Sequence, residues 1–183
     1  MKFERINPIT GAVASSAQAM QASDIPAIAE KAAAAFPIWA ATGPNARRAI
    51  LMKAAAALES KADAFVEAMM AEIGATKGWA LFNLGLAASI VREAAALTTQ
   101  ISGEVIPSDK PGCLSMALRE PVGVILGIAP WNAPIILGVR SIAVPLACGN
   151  AVILKASETC PRTHEIIVEA FAEAGFPEGV VNE

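Results

Sequence analysis

Two apolar runs in the last third of the chain predict a pair of buried strands. The runs cover residues 122–129 and 150–155, and β-branched residues are frequent in both. Continuous runs of this kind are typical of parallel strands with both faces buried. Residues 133–148 lie between them and predict a helix, with Pro134 in its first turn and Gly149 after its end. The pattern therefore predicts a βαβ unit.

Helical periodicity dominates the first hundred residues. A first helix is predicted to begin at a cap, Ser23 or Asp24, and to end before Pro37. Residues 45–74 and 77–99 predict two further amphipathic helices. Candidate core residues recur on these two segments at helical spacing: Ile50, Leu51, Ala54, Leu58, Phe65, Val66, Met69, Met70, Leu81, Leu84, Ile90, Val91 and Leu97.

Shorter segments complete the predicted fold. Residues 1–20 alternate weakly and predict a hairpin, and residues 104–106 and 113–119 predict an antiparallel ribbon. A last helix is predicted over residues 160–174, and residues 180–181 predict the start of another strand. The predicted fold class is α/β, with N-terminal helices, a protruding ribbon and the first βαβα part of a parallel sheet.

Polar residues follow each strand of the βαβ unit. Pro130, Trp131 and Asn132 leave the first strand, and residues 155–158 leave the second. In open α/β sheets, ligands bind outside the carboxyl ends of the strands. If the two strands are neighbours, the two clusters lie side by side at one crevice.

These clusters also carry a family resemblance. The segments PWNAP, GNAVILKASE and GFPEGVVN, in this order and spacing, follow an NPITG opening. Together they resemble the N-terminal portion of the NAD(P)-dependent aldehyde dehydrogenase superfamily, over the whole chain. Trp79 and Arg140 most resemble the aromatic-aldehyde branch, the salicylaldehyde and vanillin dehydrogenases. The resemblance implies oxidation of a small aromatic aldehyde to its carboxylic acid.

The resemblance also implies an organisation in three parts. Residues 1–101 are expected to be the N-terminal helical part of the NAD-binding domain. Residues 102–120 are expected to be a ribbon that takes part in subunit assembly, which implies a homo-oligomer, a dimer or a tetramer. Residues 121–183 are expected to be the first βαβα unit of a Rossmann-like domain. The aldehyde dehydrogenase fold is therefore expected to be incomplete.

Asn132 has two interpretations. Its place just before a helix fits an N-cap, a position for which Asn is favoured. Its amide is also suited to donate to an oxygen that gains negative charge when a carbonyl is attacked. The resemblance implies this second role, that of the catalytic oxyanion donor.

Lys155 and Glu158 fit either a solvated charge pair or a pair that binds the hydroxyls of an adenosine ribose. A carboxylate at that place repels a 2′-phosphate, so Glu158 favours NAD over NADP. No GxGxxG fingerprint occurs, so the dinucleotide prediction comes from the resemblance. The apolar residues before Asn132 fit core packing as well as cofactor contact. The residues implied to contact the cofactor are Ile128, Ala129, Pro130, Trp131, Lys155, Ser157 and Glu158.

Arg140 lies in a very apolar helix and is expected to need a partner. One interpretation pairs Arg140 internally with an acidic residue. The other places Arg140 against a ring oxygen of an aromatic aldehyde, with Trp79 packed on the ring.

Composition and charge narrow the possible classes of protein further. Hydrophobic residues are 55% of the chain and the mean hydropathy is +0.50. Prolines and Asn132 interrupt the longest uncharged stretch, however, so no membrane span is expected. A net charge of −3 without a basic patch argues against a nucleic-acid partner. Three cysteines without CxxC spacing, and no apolar leader, predict free thiols, no metal site and a cytoplasmic location.

The catalytic centre is expected to be incomplete. Cys148 is expected to pack in the core, and His164, the single histidine, is expected at the surface. The resemblance implies that the nucleophilic cysteine and the general-base glutamate lie beyond residue 183, so the chain alone is expected to be inactive. Two hypotheses stay open. The chain is the N-terminal part of an aldehyde dehydrogenase, or it is a non-catalytic truncated fragment that binds cofactor or assists assembly.

Overall fold

Seven strands and six helices follow one another within residues 2–183, the part of the chain that the computed structural model describes. Three small sheets and a layer of helices form a mixed α/β fold, which confirms the predicted fold class. The elements are β1 (Lys2–Ile6), β2 (Val13–Gln18), α1 (Ile25–Ala40), α2 (Pro44–Ser60), α3 (Ala62–Ile73), α4 (Lys77–Leu97), β3 (Glu104–Ile106), β4 (Ser115–Ala117), β5 (Val124–Ile128), α5 (Pro134–Ala147), β6 (Ala151–Lys155), α6 (Pro161–Glu173) and β7 (Val181–Asn182).

The predicted βαβ unit is confirmed. Strands β5 and β6 are parallel neighbours and α5 connects them, while β7 pairs with the other edge of β6. The β5–β6 register runs from Val124 opposite Ala151 to Ile128 opposite Lys155. The predicted hairpin (β1 with β2) and the predicted ribbon (β3 with β4) are both antiparallel.

The first helix does not stop at Pro37, as the sequence predicted. Helix α1 continues to Ala40, and Trp39 lies fully buried beyond the proline. The indole Nε1 of Trp39 donates a hydrogen bond to the carbonyl of Leu146, 2.9 Å away. We attribute the continuation to this tertiary contact, which offsets the hydrogen bond that proline removes from a helix interior.

The second predicted helix is two helices, separated at Lys61. Lys61 leaves the helical region, with φ −96° and ψ 21°. Immediately before it, the hydroxyl of Ser60 donates to the carbonyl of Ala57 at 2.8 Å. Serine side chains that bond nearby carbonyls compete with the helical ladder, so the break has a local cause.

Helix α4 lies at the centre of the helical layer, in contact with α2, α3 and α5. Its buried face is rich in alanine, which lets neighbouring helices approach closely. By length and hydropathy alone α4 would pass as a membrane span, a test that the core helix of a folded domain also passes. Most predicted core residues are buried, but Met70, Leu81 and Leu97 are exposed because they lie off the buried faces of their helices.

The expectation that both faces of β5 are buried is wrong for the described residues. Gly127 faces α5 so closely that an added Cβ would lie 2.6 Å from Ser141 Oγ. Leu126 and Ile128, which alternate with it on the opposite face, are 60% and 67% exposed. Residues 2–183 therefore cover only one face of this strand.

Candidate functional site

The two polar clusters lie at adjacent strand ends, as predicted. Ile128 and Lys155 are register partners at the carboxyl ends of β5 and β6. The N–H of Ala129 donates to the carbonyl of Lys155 at 3.2 Å, which extends the pairing into the loops. The residues that follow each strand therefore leave the sheet side by side.

The loop after β5 exposes its polar end. Ala129 is buried, whereas Pro130, Trp131 and Asn132 are exposed. Ala133 is the N-cap residue of α5, and no side chain caps this helix. The N-cap interpretation of Asn132 is therefore wrong, because the helix begins one residue too late. The Asn132 amide makes no hydrogen bond within residues 2–183, so its NH₂ group is available to a ligand.

The loop after β6 carries a charge pair. Lys155 Nζ lies 3.2 Å from Glu158 Oε2, and both side chains are more than half exposed. A hydrogen bond from the backbone N–H of Glu158 itself, followed by the ammonium of Lys155, lowers the pKa of the Glu158 carboxyl. Exposed pairs of this kind contribute little to stability. Both charges therefore remain accessible at the strand ends.

Ser157 is buried beneath that pair. Its hydroxyl oxygen accepts from the N–H of Thr159 at 3.2 Å, and its own N–H donates to His164 Nδ1 at 3.0 Å. Ser157 therefore shapes the loop from below, while Lys155 and Glu158 form its outer surface.

Trp79 and Arg140 lie on two helices that pack together, α4 and α5. Trp79 stacks on Phe82, with ring centroids 5.4 Å apart and an interplanar angle of 17°, and is 42% exposed. Arg140 is exposed, and no hydrogen bond or ion pair reaches it from the described part of the chain. The interpretation that pairs Arg140 internally with an acidic residue therefore finds no partner within residues 2–183, because this side of α5 faces outward.

His164 is fully buried, so its predicted surface position is wrong. Its Nδ1 accepts from Ser157 and its Nε2 lies 3.2 Å from the carbonyl oxygen of Pro134. Burial lowers its pKa to about 4, against the opposing effect of the Pro134 carbonyl. Helical spacing did hold the signal, since His164 precedes Ile167 and Phe171 on the apolar face of α6.

Glu72 is a second buried residue that sequence reasoning missed. Its two carboxylate oxygens accept from the N–H of Arg162 at 2.7 Å, the N–H of Thr163 at 3.0 Å and the hydroxyl of Thr163 at 2.7 Å. The hydroxyl of Ser15 in β2 donates to it as well. Glu72 thereby joins α3, β2 and the start of α6, directly beyond the residue 155–158 loop.

The three cysteines are free thiols, as expected. Cys113 is exposed on the ribbon loop, and Cys148 is half-buried rather than packed in the core. Cys160 is buried, and burial raises the pKa of its thiol to about 12. Within the described residues no group of three His, Cys, Asp or Glu side chains is placed to hold a metal ion.

The sequence profile described as "Aldehyde dehydrogenase family" matches residues 1–183. A vanillin dehydrogenase from Pseudomonas fluorescens is 54% identical over 180 residues, which are 98% of this chain and 37% of the relative. The chain belongs to the aldehyde dehydrogenase family. It spans little more than a third of the length of the curated family members that it matches.

Solved structures of family members agree with this fold. A salicylaldehyde dehydrogenase from Pseudomonas putida G7, crystallised with salicylaldehyde, has a TM-score of 0.97 and 46% identity, over 100% of this chain and 38% of that one. An NAD-dependent benzaldehyde dehydrogenase from Corynebacterium glutamicum has a TM-score of 0.95 and 36% identity, over 99% and 39% of the two chains. The present chain corresponds to the N-terminal part of the aldehyde dehydrogenase fold.

Proposed function

We propose that residues 1–183 are the N-terminal part of an NAD-dependent dehydrogenase that oxidises an aromatic aldehyde, such as vanillin or salicylaldehyde, to the carboxylic acid. One observation carries the proposal: the Asn132 amide, which has no hydrogen-bond partner within residues 2–183, and the Lys155–Glu158 pair leave adjacent strand ends in a member of the aldehyde dehydrogenase family. Relatives named for vanillin and salicylaldehyde support the aromatic substrate.

Asn132 is assigned the stabilisation of the oxyanion. When a nucleophile adds to the aldehyde carbon, the carbonyl oxygen gains negative charge, and a neutral amide N–H stabilises that charge without a proton to lose. Exposure of Asn132 and the absence of a capping role within residues 2–183 support this assignment. Cys160 is unsuited as the nucleophile, because a buried thiol with a raised pKa is not a thiolate at neutral pH. We place the nucleophilic cysteine and the general-base glutamate outside residues 1–183.

NAD supplies the hydride acceptor for the oxidation. The charges of Lys155 and Glu158 suit the adenosine ribose, whose hydroxyls donate to a carboxylate and accept from an ammonium. The negative charge of Glu158, kept by its lowered pKa, disfavours the 2′-phosphate of NADP. The adjoining wall is assigned to Ile128, Ala129, Pro130, Trp131 and Ser157.

The aromatic ring of the substrate is assigned to the face of Trp79, with Arg140 toward an oxygen substituent. Support comes from the exposed stack of Trp79 on Phe82 and from the exposure of Arg140, which lacks an internal partner in the part of the chain that the structure describes. A guanidinium without a carboxylate partner is free to donate to a phenolic oxygen.

The parts of the chain have separate tasks in this proposal. Residues 1–101 support the NAD-binding domain, residues 121–183 form its first βαβα unit, and residues 102–120 form the assembly ribbon of a cytoplasmic homo-oligomer, a dimer or a tetramer. The ribbon supports an assembly role because large apolar side chains are exposed on it. These side chains are Val105, Ile106, Leu114, Met116 and Leu118.

A steady-state assay of NADH formation tests the proposal. The full-length enzyme that carries this sequence is expected to oxidise vanillin, salicylaldehyde and benzaldehyde with a higher kcat/KM than an aliphatic aldehyde, and with NAD preferred to NADP. The verified 183-residue polypeptide, measured beside it, is expected to give no turnover. Turnover by that polypeptide would overturn the placement of the nucleophile outside it. A full-length enzyme that prefers aliphatic aldehydes would overturn the substrate assignment.

A further inference from the structure

Two loops of the proposed site meet at one buried side chain, His164. The loop after β6 reaches it through the N–H of Ser157, 3.0 Å from Nδ1. The first turn of α5 reaches it through the carbonyl of Pro134, 3.2 Å from Nε2. Ser157 directly precedes Glu158, and Pro134 follows Asn132 by two residues. The imidazole ring of His164 thus lies between the two parts of the site, the loop after β5 and the loop after β6.

The two partners fix the tautomer of the ring. A backbone N–H only donates, so Nδ1 must be the acceptor from Ser157 and must carry no proton. The proton then lies on Nε2 and is donated to the carbonyl of Pro134. Burial, which lowers the pKa of His164 to about 4, keeps the ring neutral at neutral pH and preserves both bonds.

The ring is held in place from two sides. A Cβ added to Gly138 of α5 would lie 3.3 Å from His164 Cδ2 and 2.7 Å from Ile167 Cδ1, so the absent side chain of Gly138 lets the ring lie against the helix. On α6, the carboxylate of Glu72 binds the N–H groups of Arg162 and Thr163, immediately before His164. The start of α6 and the His164 ring are therefore fixed by contacts with α3 and α5.

We propose that His164 is a positioning residue that fixes the loop of residues 155–158 against the first turn of α5, and so sets the ribose-binding pair relative to the oxyanion donor. The inference rests on the proposed function for the roles of Glu158 and Asn132. His164 touches neither substrate nor cofactor. It acts through Ser157 on the cofactor side and through Pro134 on the aldehyde side.

Two variants, each of which retains one of the two hydrogen bonds of His164, separate the effects of those bonds. In His164→Asn the side-chain oxygen occupies the place of Nδ1 and still accepts from Ser157, but nothing reaches Pro134. In His164→Gln the amide occupies the place of Nε2 and still donates to Pro134, but the N–H of Ser157 loses its acceptor. Both are made in the full-length enzyme, with Kd for NAD from quenching of tryptophan fluorescence and kcat from NADH formation at saturating NAD.

The expected result is a crossed pattern. His164→Gln raises the Kd for NAD about tenfold and leaves kcat within about threefold of the wild type, because only the cofactor-side loop loses its anchor. His164→Asn lowers kcat about tenfold and leaves the Kd for NAD within about threefold. A merely structural role would change both quantities together in each variant, and that result would overturn the proposal.

Hydrogen exchange of the wild-type enzyme tests the same contact without any variant. The amide of Ser157 is expected to exchange slowly, because its hydrogen bond to His164 Nδ1 is buried. Fast exchange at Ser157 would overturn the proposal even if neither variant folds. An enzyme that binds no NAD and oxidises no aldehyde, but protects Ser157, would contradict the proposed function and leave the bond itself supported.

Discussion

The carboxylate of Glu72 accepts two hydrogen bonds from Thr163, one from its N–H at 3.0 Å and one from its hydroxyl at 2.7 Å. The same carboxylate binds the N–H of Arg162. No side chain caps α6 from its own N-cap position, Cys160. Glu72 on α3 therefore supplies the cap from a distant part of the chain, where a negative charge also suits the helix dipole.

Replacement of Glu72 by Gln is expected to lower the free energy of unfolding by about 2 kcal/mol. Glutamine has one oxygen for two N–H groups, and its own NH₂ would face a donor, so at least one buried donor loses its partner. The shift of the urea unfolding midpoint measures the effect. Glu67→Gln, an exposed change on the same helix, is the matched control and is expected to move the midpoint little.

Gly127→Ala is expected to destabilise the protein, because the added methyl group overpacks the contact between β5 and α5. The added Cβ would lie 2.6 Å from Ser141 Oγ and 3.0 Å from Ser141 Cβ, so α5 would have to move away from β5. Overpacking of this kind destabilises by about 1–3 kcal/mol, seen as a lower thermal midpoint.

The matched control for Gly127 is Gly85→Ala, in α4. An added Cβ at Gly85 has no atom within 4 Å, and alanine in a helix is more favourable than glycine by about 1 kcal/mol. Gly85→Ala is therefore expected to raise the midpoint. If both variants shifted the midpoint in the same direction, the contact between β5 and α5 described above would be contradicted.

Because His164 is buried in its neutral form, the free energy of unfolding is expected to fall in acid. Its pKa is about 4 in the folded protein and about 6.5 when unfolded, so the unfolded chain binds the extra proton first. The contribution of the neutral His164 ring to the free energy of unfolding is complete above pH 6.5 and is lost as the pH falls through 4. At pH 4.5 the loss amounts to about 2–3 kcal/mol.

Unfolding midpoints of the wild type and His164→Asn, each measured at pH 7 and pH 4.5, separate the effect of His164 protonation from that of other titratable groups. Among residues 2–183, the one charged group that acts on the His164 ring is Lys155, which also lowers its pKa. The two midpoints are expected to converge as the pH falls. A constant difference between them would show that His164 is protonated as easily in the folded protein as in the unfolded chain.

Glu158→Ser in the full-length enzyme is expected to relax the preference for NAD over NADP. The serine removes the negative charge that repels a 2′-phosphate and leaves Lys155, without its pair, to attract it. The ratio of kcat/KM for NAD to that for NADP is the measurement. Glu93→Ser, at an exposed carboxylate of α4, is the control. An unchanged ratio in Glu158→Ser would remove this carboxylate from the ribose site.

The sequence predicted the sheet well because its signals are local. Apolar runs and the glycine and proline that flank them set the limits of β5, α5 and β6 to within two residues. The two polar clusters then followed from the rule that parallel strands deliver their loops to one edge. The role of each cluster was predicted from the family resemblance. The sequence alone left that role open, since an Asn between a strand and a helix is also a common helix N-cap.

The sequence failed where distant residues decide the outcome. Pro37 was expected to end α1, but Trp39 finds its partner at Leu146, over a hundred positions away. One interpretation paired Arg140 internally because its neighbours in sequence are apolar, yet its side of α5 is uncovered. His164 was expected at the surface because it stands next to Glu165, although its spacing to Ile167 placed it on the buried face. Glu72 was missed because the donors that hold it, Arg162 and Thr163, lie about ninety positions away in the chain.

The oxyanion role of Asn132 is tested by Asn132→Ala in the full-length enzyme. With benzaldehyde and saturating NAD, kcat is expected to fall by about 10²–10³, while the Kd for NAD and the unfolding midpoint stay at their wild-type values. The amide makes no hydrogen bond within residues 2–183, so its removal breaks none in this part of the enzyme, and the unfolding midpoint checks the rest. A variant that keeps the wild-type kcat would show that Asn132 does not stabilise the oxyanion.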